Sequence, residues 1–375
     1  MRVLVVGGYG AFGGRLVDLL LDEERLTLIV AGRDLESADR FCAARRGGAA
    51  SIEAAQFDRA NPEAVMARLR PDIVVDAAGP FQLYGLDPYR AVRAALAAGA
   101  HWIDLADGLD FVRGIVAFDA DAKAKGRFVL SGASSYPVLT AGVVRRLRPM
   151  LPQIDTIVAG IAPSPFAVVG LNVIRAIASY AGKPVRVHED GAWVTRYGLI
   201  DSRMMTIAAD GVDPIGPIRF ALVEAPDLEV LADEWPEAKT IWTGAGPTPA
   251  ILHRLLWLAA WLVRLRILPS LVPFAPLMNW AVNTFRWGRH RGGMVVVASG
   301  AGREASWNMI AEGDIGPFIP SMAIEAVIRK CLDGHEPAPG ARAAHHDLEL
   351  SDYEEMFARR GIVTRIRTSP IAPVG

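Results

Sequence analysis

Cysteine is nearly missing from this chain: only Cys42 and Cys331 occur in 375 residues. Two isolated cysteines make neither a disulfide framework nor a zinc-ligand spacing, which suits a reducing, cytoplasmic setting. An excess of charge of either sign is missing too. Forty basic residues stand against forty-one acidic ones and no basic run occurs, so a nucleic-acid partner is set aside. The first apolar strand begins at Arg2 or Val3, which leaves no room for a secretory leader. A wholly apolar stretch, Leu255 to Val263, has nine residues, well short of the roughly twenty that a bilayer-spanning helix needs. The length exceeds that of one ordinary domain, and two are expected.

What the chain does have is a strand that runs straight into glycines. Val3 to Val6 leads into Gly7-Gly8-Tyr9-Gly10-Ala11-Phe12-Gly13, with G-x-G-x-x-G at Gly8, Gly10 and Gly13, and a helical stretch from Arg15 follows. In that setting the pattern reads as a dinucleotide cradle. Gly8 would allow the tight turn, Gly10 the close approach of a pyrophosphate and Gly13 the packing of helix on sheet. The amides that open the helix would face the anion. A second apolar run, Leu26 to Ala31, ends in Gly32-Arg33-Asp34, with no acid at Ala31 or Gly32 to take the ribose hydroxyls. A guanidinium at Arg33 would instead pair with a 2'-phosphate, which favours NADP over NAD. The plainer alternative is that Arg33 only precedes a helix from Leu35 capped by Asp34, and Asp34 is free to cap in either case.

Further strands are expected near residues 51–55, 72–76, 102–105 and 128–131, with helices between them. Asn61-Pro62-Glu63 suggests an N-cap and a proline at the first helical position. Residues 88–98 form a helix stopped by Gly99, and residues 109–125 form one stopped by Gly126. The alternation implies an α/β fold, an amino-terminal Rossmann doubly wound parallel sheet, followed by a second α+β domain. Boundaries are placed at residues 1–148, 149–334 and 335–375, the last a carboxy-terminal extension with one helix and a loose tail. In the second domain, strands are expected at residues 154–161, 192–197, 218–223 and 294–298, and a helix at residues 171–180.

Five ordered stretches carry a family resemblance: residues 5–13, Ala-Gly-Arg at 31–33, Asp-Ala-Ala-Gly-Pro-Phe-Gln-Leu-Tyr-Gly at 76–85, His-Trp-Ile-Asp-Leu-Ala-Asp at 101–107 and Ser-Gly-Ala-Ser-Ser-Tyr-Pro at 131–137. They resemble the NADP-binding domain of saccharopine dehydrogenase-like proteins over about residues 1–145. The remainder is similar to the uncharacterised bacterial branch of that family rather than to the lysine-pathway enzymes. The resemblance implies a pyridine-nucleotide oxidoreductase whose loop Ala77-Ala78-Gly79-Pro80-Phe81 passes beneath the nicotinamide ribose. That loop would leave the carboxyl edge of a central strand, where open α/β sheets bind ligands. Tyr9, Ala11 and Phe12 come with the glycine loop. Asp58 resembles the residue that meets the adenine amino group; a turn-forming role is its equal rival.

For the proton that a carbonyl or imine reduction needs, the candidates are Asp104, Asp107, Tyr84 and Tyr136, all at strand ends, with Asp107 and Tyr136 preferred. Backbone capping is the competing role for the two aspartates. The Tyr-x-x-x-Lys pair of short-chain reductases does not occur, and Ser134-Ser135 reads as a cap rather than a nucleophile. Near residues 251–285, Trp257 and Trp261 share a helical face between Arg254 and Arg264, and Leu268 to Phe285 adds apolar residues broken by Pro269, Pro273 and Pro276. A buried helix, a homodimer contact, a lid over a greasy substrate and a peripheral membrane contact all remain open for it. His345-His346 lacks the spacing that completes a metal site. Ser351-Asp352-Tyr353-Glu354 reads as a capping box for a last helix that ends at Gly361. Two functions are left: an NADP-dependent oxidoreductase acting on a small, lipophilic carbonyl, imine or activated alkene, or a nucleotide-binding module without turnover.

Overall fold

The computed structural model describes residues 1–247 and 250–370. The chain forms two compact units, Met1–Val138 with Phe318–Leu348, and Leu139–Pro317 with the residues from Glu349 onward. The chain therefore does not divide into consecutive blocks: a segment expected to close the second domain and begin the extension belongs to the first unit.

The first unit is a parallel sheet of β1 (Arg2–Val6), β2 (Thr27–Gly32), β3 (Ser51–Gln56), β4 (Ile73–Asp76), β5 (His101–Asp104), β6 (Phe128–Ser131) and a late strand, Gly340–Ala343. Their order is β3-β2-β1-β4-β5-β6 followed by the late strand, the doubly wound arrangement whose direction reverses between β1 and β4. Val3, Leu4, Val5, Leu28, Ile29 and Val30 are wholly buried, as strands covered on both faces must be. Helix Gly13–Leu20 buries Leu16, Val17, Leu19 and Leu20. It packs on helix Ile319–Leu332, where Ser321 Oγ donates to the Phe12 carbonyl at 3.0 Å.

Gly99 and Gly126 take φ +76° and +62°, the left-handed conformation that ends a helix. Asn61 does not cap: the helix is Glu63–Leu69 with Pro62 at its N-cap and no side-chain bond. Residues 109–125 are not one helix but Leu109–Gly114, a 3-10 turn Ile115–Phe118 and Asp119–Ala124. Tyr89 explains the break, since its hydroxyl donates to the Phe111 carbonyl at 3.0 Å and fills the space where Gly114 would carry a Cβ.

The second unit is a mixed sheet of β7 (Thr156–Ala162), β8 (Pro184–Glu189), β9 (Ala192–Tyr197), β10 (Ser202–Ile207), β11 (Ile215–Leu222), β12 (Thr240–Ala245), β13 (Arg291–Gly300), β14 (Arg303–Glu312) and a final strand, Val363–Pro370. The order is β10-β11-β12-β7-β13-β14 and the final strand, with β8 pairing β12 and β9. Val158, Val187, Phe220, Leu222, Trp242, Val295 and Ile310 are among the residues of one apolar cluster in this unit. Helix Leu171–Tyr180 forms as expected. The capping box does not: Ser351 is already helical and no side chain caps, while the Asp352 carboxylate accepts from the Glu349 amide at 2.8 Å. The tail is not loose through residue 370, because Val363–Pro370 pairs with β14 over eight residues; Pro373 lies outside the described residues.

Candidate cofactor site

At the carboxyl edge of β1 the chain turns sharply, and the positive φ that permits it belongs to Gly7, at +76°, not to Gly8. Gly7 is also where the turn meets the loop after β4, since an added Cβ would lie 2.8 Å from Ala78 Cα. Gly8 is needed for a different reason: a Cβ there would meet the Val5 carbonyl oxygen at 2.8 Å and Val30 at 3.1 Å. At Gly13 a Cβ would fall 2.3 Å from the Gly7 oxygen, so only glycine lets the helix start this close to the turn. Gly10 is exposed and its amide donates to the Gly7 carbonyl at 2.8 Å. The Gly14 amide is spent on the Gly10 carbonyl at 2.9 Å. Ala11 and Phe12 are half-buried; the Ala11 carbonyl accepts from the Arg15 guanidinium, and Phe12 is the N-cap of the helix without a side-chain bond.

The end of β2 lies beside this turn. The ring of Tyr9 covers Gly32 so closely that a Cβ on Gly32 would be 2.4 Å from the tyrosine oxygen, and the Tyr9 hydroxyl accepts from the Asp34 amide at 3.2 Å. Asp34 caps helix Leu35–Ala43 by accepting from Glu36 and Ser37 amides. Arg33 is exposed. Its carbonyl accepts from Gln56 Nε2 at 3.1 Å, and its guanidinium has no partner among the described residues. Capping by Asp34 and anion binding by Arg33 therefore do not compete. Asp58 is exposed and accepts from the Ala60 amide at 2.9 Å, a turn-forming bond made by one of its two oxygens.

Past β4 the structure reveals a cluster that pattern reading missed. Asp76 is fully buried and pairs with Arg59 at 3.1 Å. It also accepts from the Ala78 amide at 3.1 Å and from the Tyr84 hydroxyl at 3.3 Å. The Arg59 guanidinium sits 3.3 Å from the centre of the Tyr84 ring. Burial, with the Asp76 charge beside it, pushes the Tyr84 hydroxyl far above the ordinary phenol range. Tyr84 thus keeps its proton and spends it on the Asp76 carboxylate, which holds the loop in place. Phe81 is 6% exposed, and its ring packs against Tyr84 and Phe111 at 4.8 and 5.1 Å; only its backbone remains for a ligand. Gly79 stands at φ +40°.

Asp104 is likewise structural. It accepts from Trp102 Nε1 at 2.9 Å, the Ala106 amide at 3.0 Å, Ser131 Oγ at 2.9 Å and the Gly132 amide at 2.8 Å. Burial pushes its carboxyl up to about 6, against the downward pull of those four donors, and it ties the end of β5 to that of β6. Asp107 differs: it reaches solvent and accepts from Gln82 Nε2 at 3.1 Å. Surrounding protein raises its carboxyl from the ordinary value, while the residue keeps access to solvent. Tyr136 is half-buried. Its segment and that of Asp107 both adjoin Gly132, whose added Cβ would lie 3.2 Å from Pro137 and 3.4 Å from the Ala106 oxygen.

Residues 3–130 match the family model of the saccharopine dehydrogenase NADP binding domain. That stretch of the amino-terminal sheet is similar to this NADP binding domain. No curated protein sequence matches the chain. Among solved structures, it is similar to apo histidine-tagged saccharopine dehydrogenase (L-Glu forming) from Saccharomyces cerevisiae, at 13% identity over 98% of this chain and 99% of that one, with a TM-score of 0.68. A myo-inositol dehydrogenase from Corynebacterium glutamicum matches at 13% identity over 100% and 99% of the two chains, with a TM-score of 0.45. At such identity the yeast likeness establishes the fold alone. The saccharopine dehydrogenase NADP binding domain makes NADP the cofactor and places the chain among the oxidoreductases. The residues fit that cofactor: three glycines leave no room for a Cβ at the turn, and a free guanidinium stands at the end of β2.

Proposed function

We propose that the protein moves a hydride between NADP and the carbonyl, imine or activated alkene of a small, lipophilic molecule. The observation that carries this reading is the unpartnered Arg33 guanidinium beside a turn crowded at Gly8 and Gly13, a pairing that suits a dinucleotide bearing one extra phosphate. Gly8, Gly10 and the opening of helix Gly13–Leu20 would hold the pyrophosphate, with Tyr9, Ala11 and Phe12 shaping the loop. Arg33 would hold the 2'-phosphate and Asp58 the adenine edge. Ala78, Gly79 and the Phe81 backbone would line the nicotinamide ribose. The bound nucleotide supplies the hydride. The chain's own task is to orient that nucleotide and to handle the proton, for which Asp107 and Tyr136 are the candidates because Asp104 and Tyr84 are committed to holding loops.

That commitment also favours a second reading, a nucleotide-binding module without turnover. NADPH consumption separates the two when followed with lipid aldehydes, enones and amino-acid imines. Turnover of one of these classes supports the enzyme. Silence throughout, with NADPH heat still measurable by calorimetry, transfers support to the module, and absence of heat from both NADPH and NADH overturns both.

A further inference from the structure

Between Glu237 and Glu304 the chain contains no acidic residue, yet Arg254, Arg264, Arg266, Arg286, Arg289 and Arg291 all fall there, of which Arg289 and Arg291 pair with Asp213 and Glu312 from outside the interval. The same interval holds two helices, Ala250–Arg264 and Ala275–Thr284. The first turns His253, Ala260 and Val263 inward, and the Ala260 carbonyl lies so near Gly182 that a Cβ there would be 2.1 Å away. Its inner side is thus already packed. Outward it presents Leu255 at 58% and Leu258 at 54% exposure, with Trp257 also exposed; on the second helix Leu277 is 60% and Trp280 56% exposed. These positions would carry polar side chains if water were their only neighbour. Arg254, Arg264 and Arg266 are exposed beside them. None of the three has an acidic partner among the described residues, and Arg264 rests 4.0 Å from the centre of the Tyr197 ring.

We propose that this arginine-flanked apolar surface of the second unit rests on an anionic lipid bilayer, as a peripheral contact. Crossing is not involved: no described helix is long and apolar enough to span, and fifteen residues reach only about 22 Å. Lipid is favoured over a second copy of the chain by charge. A two-fold contact through this face would bring arginines against arginines, with no acid in the interval to pair them. An anionic bilayer supplies both partners at once, lipid phosphates for the guanidinium groups and acyl chains for leucine, while tryptophan rings favour the boundary between them. The proposal uses only residues of the second unit and stands apart from the assignment of the cofactor and reaction.

The test is flotation of the full-length protein with vesicles of phosphatidylcholine alone and of phosphatidylcholine mixed equally with phosphatidylglycerol. Binding is expected to be at least roughly tenfold stronger on the anionic vesicles and to weaken with added salt, since each surface arginine near anionic lipid is worth about fivefold. The exposed double variant Leu255→Glu/Leu258→Glu and, separately, Arg254→Glu/Arg266→Glu are each expected to abolish flotation, with urea midpoint and NADPH binding unchanged. Equal binding to both vesicle types overturns the proposal. So does absence of binding, and if sedimentation then shows a dimer that Leu255→Glu/Leu258→Glu dissolves, the surface is a self-contact instead.

Discussion

A single exposed guanidinium separates the two pyridine nucleotides at the end of β2. The Arg33 guanidinium has no partner among the described residues, so its removal should cost only what the 2'-phosphate gains from it. Arg33→Ala is expected to weaken NADPH binding by roughly 1.5–3 kcal/mol, the worth of a hydrogen bond to a charged group, and to leave NADH binding unchanged by calorimetry. Equal loss for both nucleotides would remove the assignment. A second single residue is expected to contribute to the pH response. Asp227 is fully buried, neither carboxylate oxygen meets a donor at full hydrogen-bond geometry, and burial, only partly opposed by the nearby Thr140 hydroxyl, pushes it up to about 7 from 3.8. Between those values the unfolded chain is ionised at this position while the folded one keeps its proton. Raising pH therefore favours unfolding across that window and levels off above it, a loss on the order of 4 kcal/mol. Urea titrations from pH 4 to pH 8 should show this decline in the parent and a shallower one in Asp227→Asn. Parallel curves would show that the buried carboxyl does not control the response.

At the scale of elements, the cap at Asp34 shows how neighbouring residues keep separate tasks. Its carboxylate is turned to the Glu36 and Ser37 amides. Asp34→Ala should thus cost about 1 kcal/mol of stability, read from the urea midpoint, with NADPH affinity kept within about twofold by the standard that one lost neutral contact is small beside a phosphate pairing. A large affinity loss would mean that the cap and the phosphate grip cannot be separated. Asp34 was legible because a helix cap depends on residues two and three positions away. The strands of the first sheet were legible for a similar reason, their apolar runs being continuous. In the second unit β8, β10, β12 and β14 were not legible: β14 carries a buried Asn308 and a half-buried Ser306, and polar residues in a strand blur the apolar pattern. The split of residues 109–125 was illegible because Tyr89, twenty residues upstream of Leu109, makes it.

For the whole molecule, the returning segment matters most. Residues 318–348 supply the first unit with the late strand that pairs β6 and with the helix that covers Gly13–Leu20. A fragment of residues 1–148 would expose the face of that helix, including its buried neighbours at the glycine turn. It is expected to lack a cooperative unfolding transition by circular dichroism and to give no NADPH heat; binding as tight as in the full chain would show that the segment is dispensable. The sequence by itself determined the cradle: strand, glycines and Arg33 lie within about thirty positions, and their backbone demands are local. Tertiary structure alone decided which acids are spent as struts and which stay open to solvent. Asp104 and Asp107 are three residues apart and chemically alike, but four donors from β5, β6 and their loops surround the first. The second meets Gln82 and water. Burial and donor count are properties of what packs around a side chain, and the distant residues that supply them are brought near only when the chain has folded.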